Sequence, residues 1–239
     1  MKIALIGYGK MGKAIESVAI ERGHSVILKI TSQNVEELTI EALQEADIAI
    51  EFSSPDSAVS NIIMCMDAKL PVVCGSTGWY SKLDVVKEYC ETNNGSLLYA
   101  SNFSIGVNIF FELNEHLAQL MAQQPSYKLS IQEIHHTQKK DAPSGTAISL
   151  AEGIIQNNPN KTSWKLGPTS CANEIEIISE RIDPAPGTHI ITYSSSIDDL
   201  EIKHTAHNRI GFATGAVVAA EFLQEKMGVF TMKDLLKRN

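Results

Sequence analysis

Over its first hundred or so residues the chain switches again and again between short apolar runs that stop at a turn and longer stretches with helical spacing. "KIALIG" (2–7), "SVILKI" (25–30), "DIAIEF" (47–52), "LPVVCG" (70–75) and "GSLLYAS" (95–101) read as strands. Between them "GKAIESVAIERG", "VEELTIEALQEA", "PDSAVSNIIMCMDAK" and "YSKLDVVKEYCETN" read as helices. Strands that are apolar on both faces, separated by helices, predict a parallel sheet covered on both sides. The expected fold class is therefore α/β, with a Rossmann-type doubly wound sheet.

The first turn sharpens that expectation. "GYGKMG" places Gly7, Gly9 and Gly12 in G-x-G-x-x-G spacing, directly after a strand and at the start of a helix. Glycines there let the backbone approach a pyrophosphate, and the helix N-terminus offers free N–H donors. Glycine turns also close strand–helix corners with no ligand, so the surrounding rhythm is what favours a nucleotide. "GSTG" (75–78) and "ASNFS" (100–104) follow the fourth and fifth strands, on the carboxyl edge where such sheets bind ligands. An acid that would hold the adenosine ribose is absent from residues 24–35, where Lys29, Thr31 and Ser32 close the second strand. That leans the expected cofactor toward NADPH, or toward use of both NADPH and NADH.

The rhythm changes after Asn102. A helical stretch, "GVNIFFELNEHLAQLMAQ", leads to an alternating strand, "YKLSIQEIHH", and a further helix, "SGTAISLAEGIIQNN". Residues 159–173 have no periodicity and read as a loop. Three strand-like runs follow, "EIEIISERI", "GTHIITYSSS" and "LEIKHTAH", and the end returns to helix, with Thr231 and Asp234 spaced as a capping box. Successive strands predict a smaller α+β domain with a mixed or antiparallel sheet. The expected division is 1–104 with 210–239 for the dinucleotide domain, and 105–209 for the second.

The densest chemistry lies in "EIHHTQKKDAPSGTA" (133–147). His135 and His136 end a strand and face opposite sides. Lys139 and Lys140 follow, and Ser144, Gly145 and Thr146 precede a helix whose N-terminus favours an anion. Imidazoles near neutrality, an ammonium group and a helix dipole together suit a carboxylate ligand that must also receive a proton. A polar surface loop with a helix cap is the plainer alternative. "KHTAHNR" (203–209) adds Lys203, His204 or Arg209 to the same pocket, or else guards a strand edge.

With 20 Lys and Arg against 28 Asp and Glu, the net charge of −8 argues against a nucleic-acid partner. Cys65, Cys74, Cys90 and Cys171 form no C-x-x-C pair, so neither a metal nor a dithiol motif is expected, and Cys65 and Cys74 read as core residues. "MKIALIGYGKMG" runs straight into a glycine turn, so no export signal is expected, and no apolar run nears the ~20 residues of a membrane span. A cytoplasmic protein with reduced thiols is expected.

The run 133–147 resembles the signature E-x-H-H-x-x-K-x-D-A-P-S-G-T-A of the 4-hydroxy-tetrahydrodipicolinate (dihydrodipicolinate) reductase family. "GYGKMG", "FSSPD", "GSTGW", "ASNFSIGVN" and "HTAHNRIGFATGAV" extend the likeness over most of the chain. The resemblance implies an NAD(P)H-dependent oxidoreductase of the diaminopimelate route to lysine, a homotetramer that reduces a small cyclic dicarboxylate with loss of water. It implies His135 as proton donor or acceptor, Lys139 as a second proton donor, and His136, Gly145 and Thr146 as substrate-carboxylate contacts. It implies cofactor contacts from Gly7, Tyr8, Gly9, Lys10, Met11 and Gly12, from Gly75, Ser76 and Thr77, and from Ala100, Ser101, Asn102 and Phe103. The segment "ERIDPAPGTH" departs from the family's Arg-Gly-Gly run. Another two-domain NAD(P) dehydrogenase and a non-catalytic NAD(P) sensor are the rival readings. An aspartate-semialdehyde dehydrogenase would need a catalytic cysteine in a recognisable setting, and a sensor would have no use for both His135 and Lys139.

Overall fold

The structure is a computed structural model, described here over residues 1–208 and 210–237. In chain order the elements are β1 (Lys2–Ile6), α1 (Lys10–Glu21), β2 (Ser25–Ile30), α2 (Ile40–Gln44), β3 (Ile48–Glu51), α3 (Pro55–Asp67), β4 (Val72–Cys74), α4 (Leu83–Thr92), β5 (Ser96–Tyr99) and α5 (Ile105–Met121). They continue as β6 (Lys128–His135), α6 (Gly145–Asn157), β7 (Ser163–Leu166), β8 (Glu174–Arg181), β9 (Thr188–Ser194), β10 (Asp199–Thr205), α7 (Ile210–Leu223), β11 (Gly228–Phe230) and α8 (Met232–Leu236).

The chain divides into two compact units, Met1–Ile105 with Ile210–Asn239, and Gly106–Arg209. In the first, the strands lie in the order β11-β5-β4-β3-β1-β2, and all of their pairings are parallel. This is the Rossmann-type sheet expected from the alternation. β3 is buried at every position, as a parallel strand covered on both faces must be. One face packs on α1 and α7, with Ile3, Leu5, Ile50 and Leu98 against Ala213, Ala216, Val217 and Ala220. The other buries Ala4, Ile6, Ile62, Cys65 and Trp79.

In the second unit the order is β10-β9-β6-β8-β7. β6 is central, antiparallel to β9 and parallel to β8, so the sheet is mixed. Its alternating burial puts Leu129, Ile131, Glu133 and His135 on one buried face. Leu129 and Ile131 pack with Leu150, Ala151 and Ile154 of α6.

Three expectations are corrected. The helix read over 35–46 is a 3₁₀ turn (Val35–Glu37) followed by α2, because Thr39 is extended and its side chain accepts from the Ala42 N–H at 3.2 Å, starting a new helix. The loop read over 159–173 contains β7, which pairs in parallel with β8 at the sheet edge. Its side chains are mostly exposed, so burial leaves no period in the sequence. The end of the chain is not all helix: β11 adds a sixth strand beside β5, secured by Gly228 N–H to Gly95 C=O at 2.9 Å. The capping box of α8 is present, with Thr231 and Asp234 bonding reciprocally. No helix among the described residues is long and apolar enough to cross a membrane.

Candidate active site

In the first unit the carboxyl ends of β1, β2 and β3 surround a cavity of about 500 Å³. It is lined by Gly7, Tyr8, Gly9, Thr31, Ser32, Ser53, Ser54, Ser57 and Asn61 among others. The sequence dictates its shape at the glycines. Gly7 has φ +95°, and a Cβ there would meet the Phe52 carbonyl oxygen at 2.2 Å. A Cβ on Gly12 would lie 2.7 Å from the Gly7 carbonyl oxygen, so both residues are glycine for the protein's own packing. Gly9 differs, since nothing lies within 4 Å of its Cβ position and the open space beside the start of α1 is free for a ligand.

Glu51, fully buried at the end of β3, shapes the cavity wall. It accepts from the Ser53 N–H at 2.9 Å, the Cys74 thiol at 3.1 Å and Asn61 Nδ2 at 3.4 Å, and so holds two lining residues in place. Burial and this carboxylate push the Cys74 thiol up, out of reach of ionisation. Cys65 is buried, as expected for it and Cys74, and Cys90 is buried too.

At the mouth of β2, Lys29 Nζ lies 2.5 Å from Glu16 Oε1 and 5.2 Å from the centroid of the Tyr8 ring, and Tyr8 donates its hydroxyl to Glu16. Glu16, on α1, thus places a carboxylate beside the ammonium that ends β2. Around the β4 turn, the buried Ser76 hydroxyl has no partner, while Ser76 C=O accepts from the Trp79 indole at 2.8 Å. An orphaned hydroxyl near the carboxyl edge and the open space at Gly9 both fit a dinucleotide. Lys10, Thr77 and Ser101 are exposed, and Met11, Gly75, Ala100 and Asn102 are half-buried. Phe103 is 2% exposed and tilts on Phe52 at 5.6 Å, so it offers a ligand only its backbone.

In the second unit the sheet register assembles a different cluster. Glu133 on β6 has Ser179 of β8 on one side and His189 of β9 on the other, and His135 lies opposite Arg181. Glu133 is fully buried; it accepts from the Ser144 N–H at 3.0 Å, the Ser179 hydroxyl at 2.8 Å and Arg181 Nη2 at 3.2 Å. Burial raises its pKa, but the Ser144 and Ser179 hydrogen bonds, with the His135 charge, outweigh that and hold it below the usual carboxylate range. His189 shares a hydrogen bond of 3.1 Å with Ser144 Oγ. Burial, then the charge of His135, lowers its pKa to about 4, so it is neutral at pH 7.

His135 is 7% exposed. Its Nδ1 is buried without a hydrogen-bond partner, and Glu133 Oε2 lies 3.6 Å away. Desolvation lowers its pKa, Glu133 opposes that, and Lys139 and Arg181 add to the lowering. Lys139 Nζ pairs with both Asp141 oxygens at 2.7 and 2.9 Å. Ser144 caps α6, accepting from the Ala147 N–H at 3.2 Å, and nothing lies within 4 Å of a Cβ on Gly145. His136 and Thr146 are half-buried, and Lys140 and Lys203 are exposed. His204 is half-buried and packs on Phe110, its pKa lowered by burial and then by His207. Arg209 lies outside the described residues.

Glu133, His135 and His189 present ligand atoms within 4.8 Å of one another, close enough for a metal. The Arg181 guanidinium already offsets the carboxylate's charge, and the Ser144 N–H and Ser179 hydroxyl occupy its two oxygens. Glu133, Arg181, Ser179 and His189 are the members that the sequence reading misses. Only Glu133 leaves a local trace, as an acid on the apolar phase of an alternating strand two residues before His135.

Comparison with known proteins places this geometry in context. Residues 1–103 match the family model "Dihydrodipicolinate reductase, N-terminus", and residues 106–236 match "Dihydrodipicolinate reductase, C-terminus". A 4-hydroxy-tetrahydrodipicolinate reductase of Christiangramia forsetii is 48% identical over 99% of this chain and 98% of its own. One from Thermosipho africanus is 34% identical, with the same coverage. In fold, the chain resembles a dipicolinate-bound dihydrodipicolinate reductase from Paenisporosarcina sp. TG-14, with TM-score 0.78, 22% identity and 97% of each chain covered.

Proposed function

The chain belongs to the dihydrodipicolinate reductase family, and on that premise we propose how it performs the reduction of 4-hydroxy-tetrahydrodipicolinate in the diaminopimelate route to lysine. It is an NAD(P)H-dependent oxidoreductase, and the product is tetrahydrodipicolinate, formed with loss of water. The observation that carries the residue assignment is that His135, the start of α6 and, through Arg181, the backbone of Lys139 converge on the buried Glu133.

The unit Met1–Ile105 with Ile210–Asn239 is assigned to the dinucleotide and Gly106–Arg209 to the substrate. Gly7 to Gly12, Gly75 to Thr77 and Ala100 to Phe103 hold the cofactor, with Gly9 leaving room for the pyrophosphate. When bound, the nicotinamide supplies a hydride to the substrate ring. The pairing of Lys29 with Glu16 supports use of both NADH and NADPH. The acid can take a ribose hydroxyl, and the ammonium can take a 2′-phosphate.

In the substrate unit, a dicarboxylate meets the α6 N-terminus through Gly145 and Thr146, with His136 as a further contact. A carboxylate there gains from both the free N–H groups and the dipole. Hydride addition leaves negative charge running toward the ring nitrogen, and the adjacent carbon must be protonated. His135 and Lys139 are the groups placed for that transfer, and the cations around them lower the barrier electrostatically. Ile178 on β8 and Leu200 on β10 remain exposed, which supports a homotetramer built through this sheet. Cysteines without disulfides support a cytoplasmic location.

The test is oxidation of NADH and NADPH, in parallel, with substrate made in situ by the preceding synthase. Wild type consumes cofactor only with the synthase product. His135→Ala and Lys139→Ala each lose about 10²–10⁴-fold in turnover while still binding cofactor. Cofactor binding without any consumption would point instead to an NAD(P) sensor.

A further inference from the structure

His135 cannot be a proton carrier without a defined tautomer, and the buried side of its ring decides which one. Nδ1 is sealed from solvent and makes no hydrogen bond. The acceptor that faces it is Glu133 Oε2 at 3.6 Å. A bare Nδ1 lone pair would there confront a carboxylate in a desolvated setting, whereas an Nδ1–H would be attracted to it. The other ring edge, Cδ2 and Nε2, lies against Gly187, where a Cβ would come within 3.3 Å of both atoms.

We propose that Glu133 is a positioning residue, which fixes His135 as its Nδ1–H tautomer and leaves Nε2 as the nitrogen that exchanges a proton with substrate. The proposal rests on the catalytic reading of His135 given above. Glu133 is itself immobilised by Ser144 and Ser179, and Arg181 ties it to the backbone that carries Lys139. The 3.6 Å separation is long for a hydrogen bond. Such contacts tighten when substrate arrives, and a dicarboxylate favours the imidazolium that Glu133 then stabilises. Charged or titratable groups bear on His135 from each neighbouring element: Glu133 on β6, Arg181 on β8, His189 on β9, and Lys139 and Asp141 on the following turn. Of these, Glu133 is the largest influence favouring the charged ring.

The first arm needs no variant. Long-range ¹H–¹⁵N correlation spectra of wild-type protein labelled at histidine nitrogens should show His135 as the Nδ1–H form. An Nε2–H form would overturn the proposal. The second arm compares Glu133→Gln with wild type in the presence of saturating cofactor. Turnover should fall about 10- to 100-fold, the scale of a slightly misplaced catalytic group, with little change in the KM for cofactor. The alkaline limb of the pH–kcat/KM profile should move to lower pH, because loss of the carboxylate lowers the imidazolium pKa. A Glu133→Gln enzyme within twofold of wild type, with an unmoved profile, would also overturn it. His135→Ala separates the two readings. Retained turnover there removes the catalytic role itself, whereas an inactive His135→Ala beside an Nε2–H wild type removes only the positioning role.

Discussion

Arg181 Nη2 donates to the Asp141 backbone carbonyl at 2.6 Å while the same nitrogen reaches Glu133 Oε1 at 3.2 Å. Nε bonds Lys139 C=O at 3.2 Å and Nη1 bonds Glu180 C=O at 2.8 Å, so one planar fork ties the histidine's carboxylate to the lysine's turn. A lysine carries the charge but cannot reproduce that fork. Arg181→Lys should therefore keep the fold and speed amide exchange at residues 139–142. Its turnover should fall about 10-fold or more, the scale of one lost charge-assisted hydrogen bond. Hydrogen-exchange mass spectrometry with steady-state rates checks both. Unchanged exchange in the turn would show that the brace does not hold it.

His189 gives the protein an acid limit. Its pKa is about 4 when folded and about 6.5 in an unfolded chain, so between those values the unfolded state binds the extra proton. Stability is complete above pH 6.5, falls as pH drops through that window, and flattens below pH 4. The loss should be on the order of 3 kcal/mol. Chemical denaturation at intervals from pH 7.5 to 4 measures it. In His189→Gln the slope over this window should shrink by that contribution.

Gly215 on α7 lies where a Cβ would stand 1.6 Å from the Phe103 carbonyl oxygen, a backbone atom that cannot swing away. Gly215→Ala should destabilise the first unit by about 1–3 kcal/mol or more through overpacking. It should also weaken dinucleotide binding, because Phe103 closes the β5 turn. Thermal unfolding with and without NADPH tests this, and a wild-type melting curve would refute the close packing.

The Lys29–Glu16 pair should set the balance between the two cofactors. Glu16→Gln leaves the ammonium without its carboxylate partner, which favours a 2′-phosphate, so the NADPH/NADH ratio of kcat/KM should rise several-fold. Lys29→Ala should lower that ratio. Parallel shifts of both cofactors would mean that neither residue reads the ribose.

β1, β3, β4 and β5 are legible in the sequence because they are buried at nearly every position and read as apolar runs, with glycine closing the first and fourth strands. Two of the edge strands, β7 and β11, escape notice for the opposite reason. β7 is mostly exposed and β11 is three half-buried residues, so neither carries a burial period. In the site, His135, Lys139 and Ser144 stand out because one short stretch of chain contains them all. Glu133, Arg181 and His189 meet through the registers of β6 with β8 and β9, a relationship that no local spacing encodes. Thr39 makes the same point on a smaller scale: a β-branched residue that suits a helical period instead caps a new helix.

The first unit includes Met1–Ile105, yet its α7 and β11 come only from Ile210 onward. During synthesis, at about 5–20 residues per second, the ribosome must deliver the entire second unit before the first can be finished. Until then β5 is an open edge, and Ile50, Val73 and Leu98 lack the cover of Ala216, Val217 and Ala220. The early part of the first unit therefore waits, with the outer edge of β5 unpaired, for as long as the second unit takes to emerge.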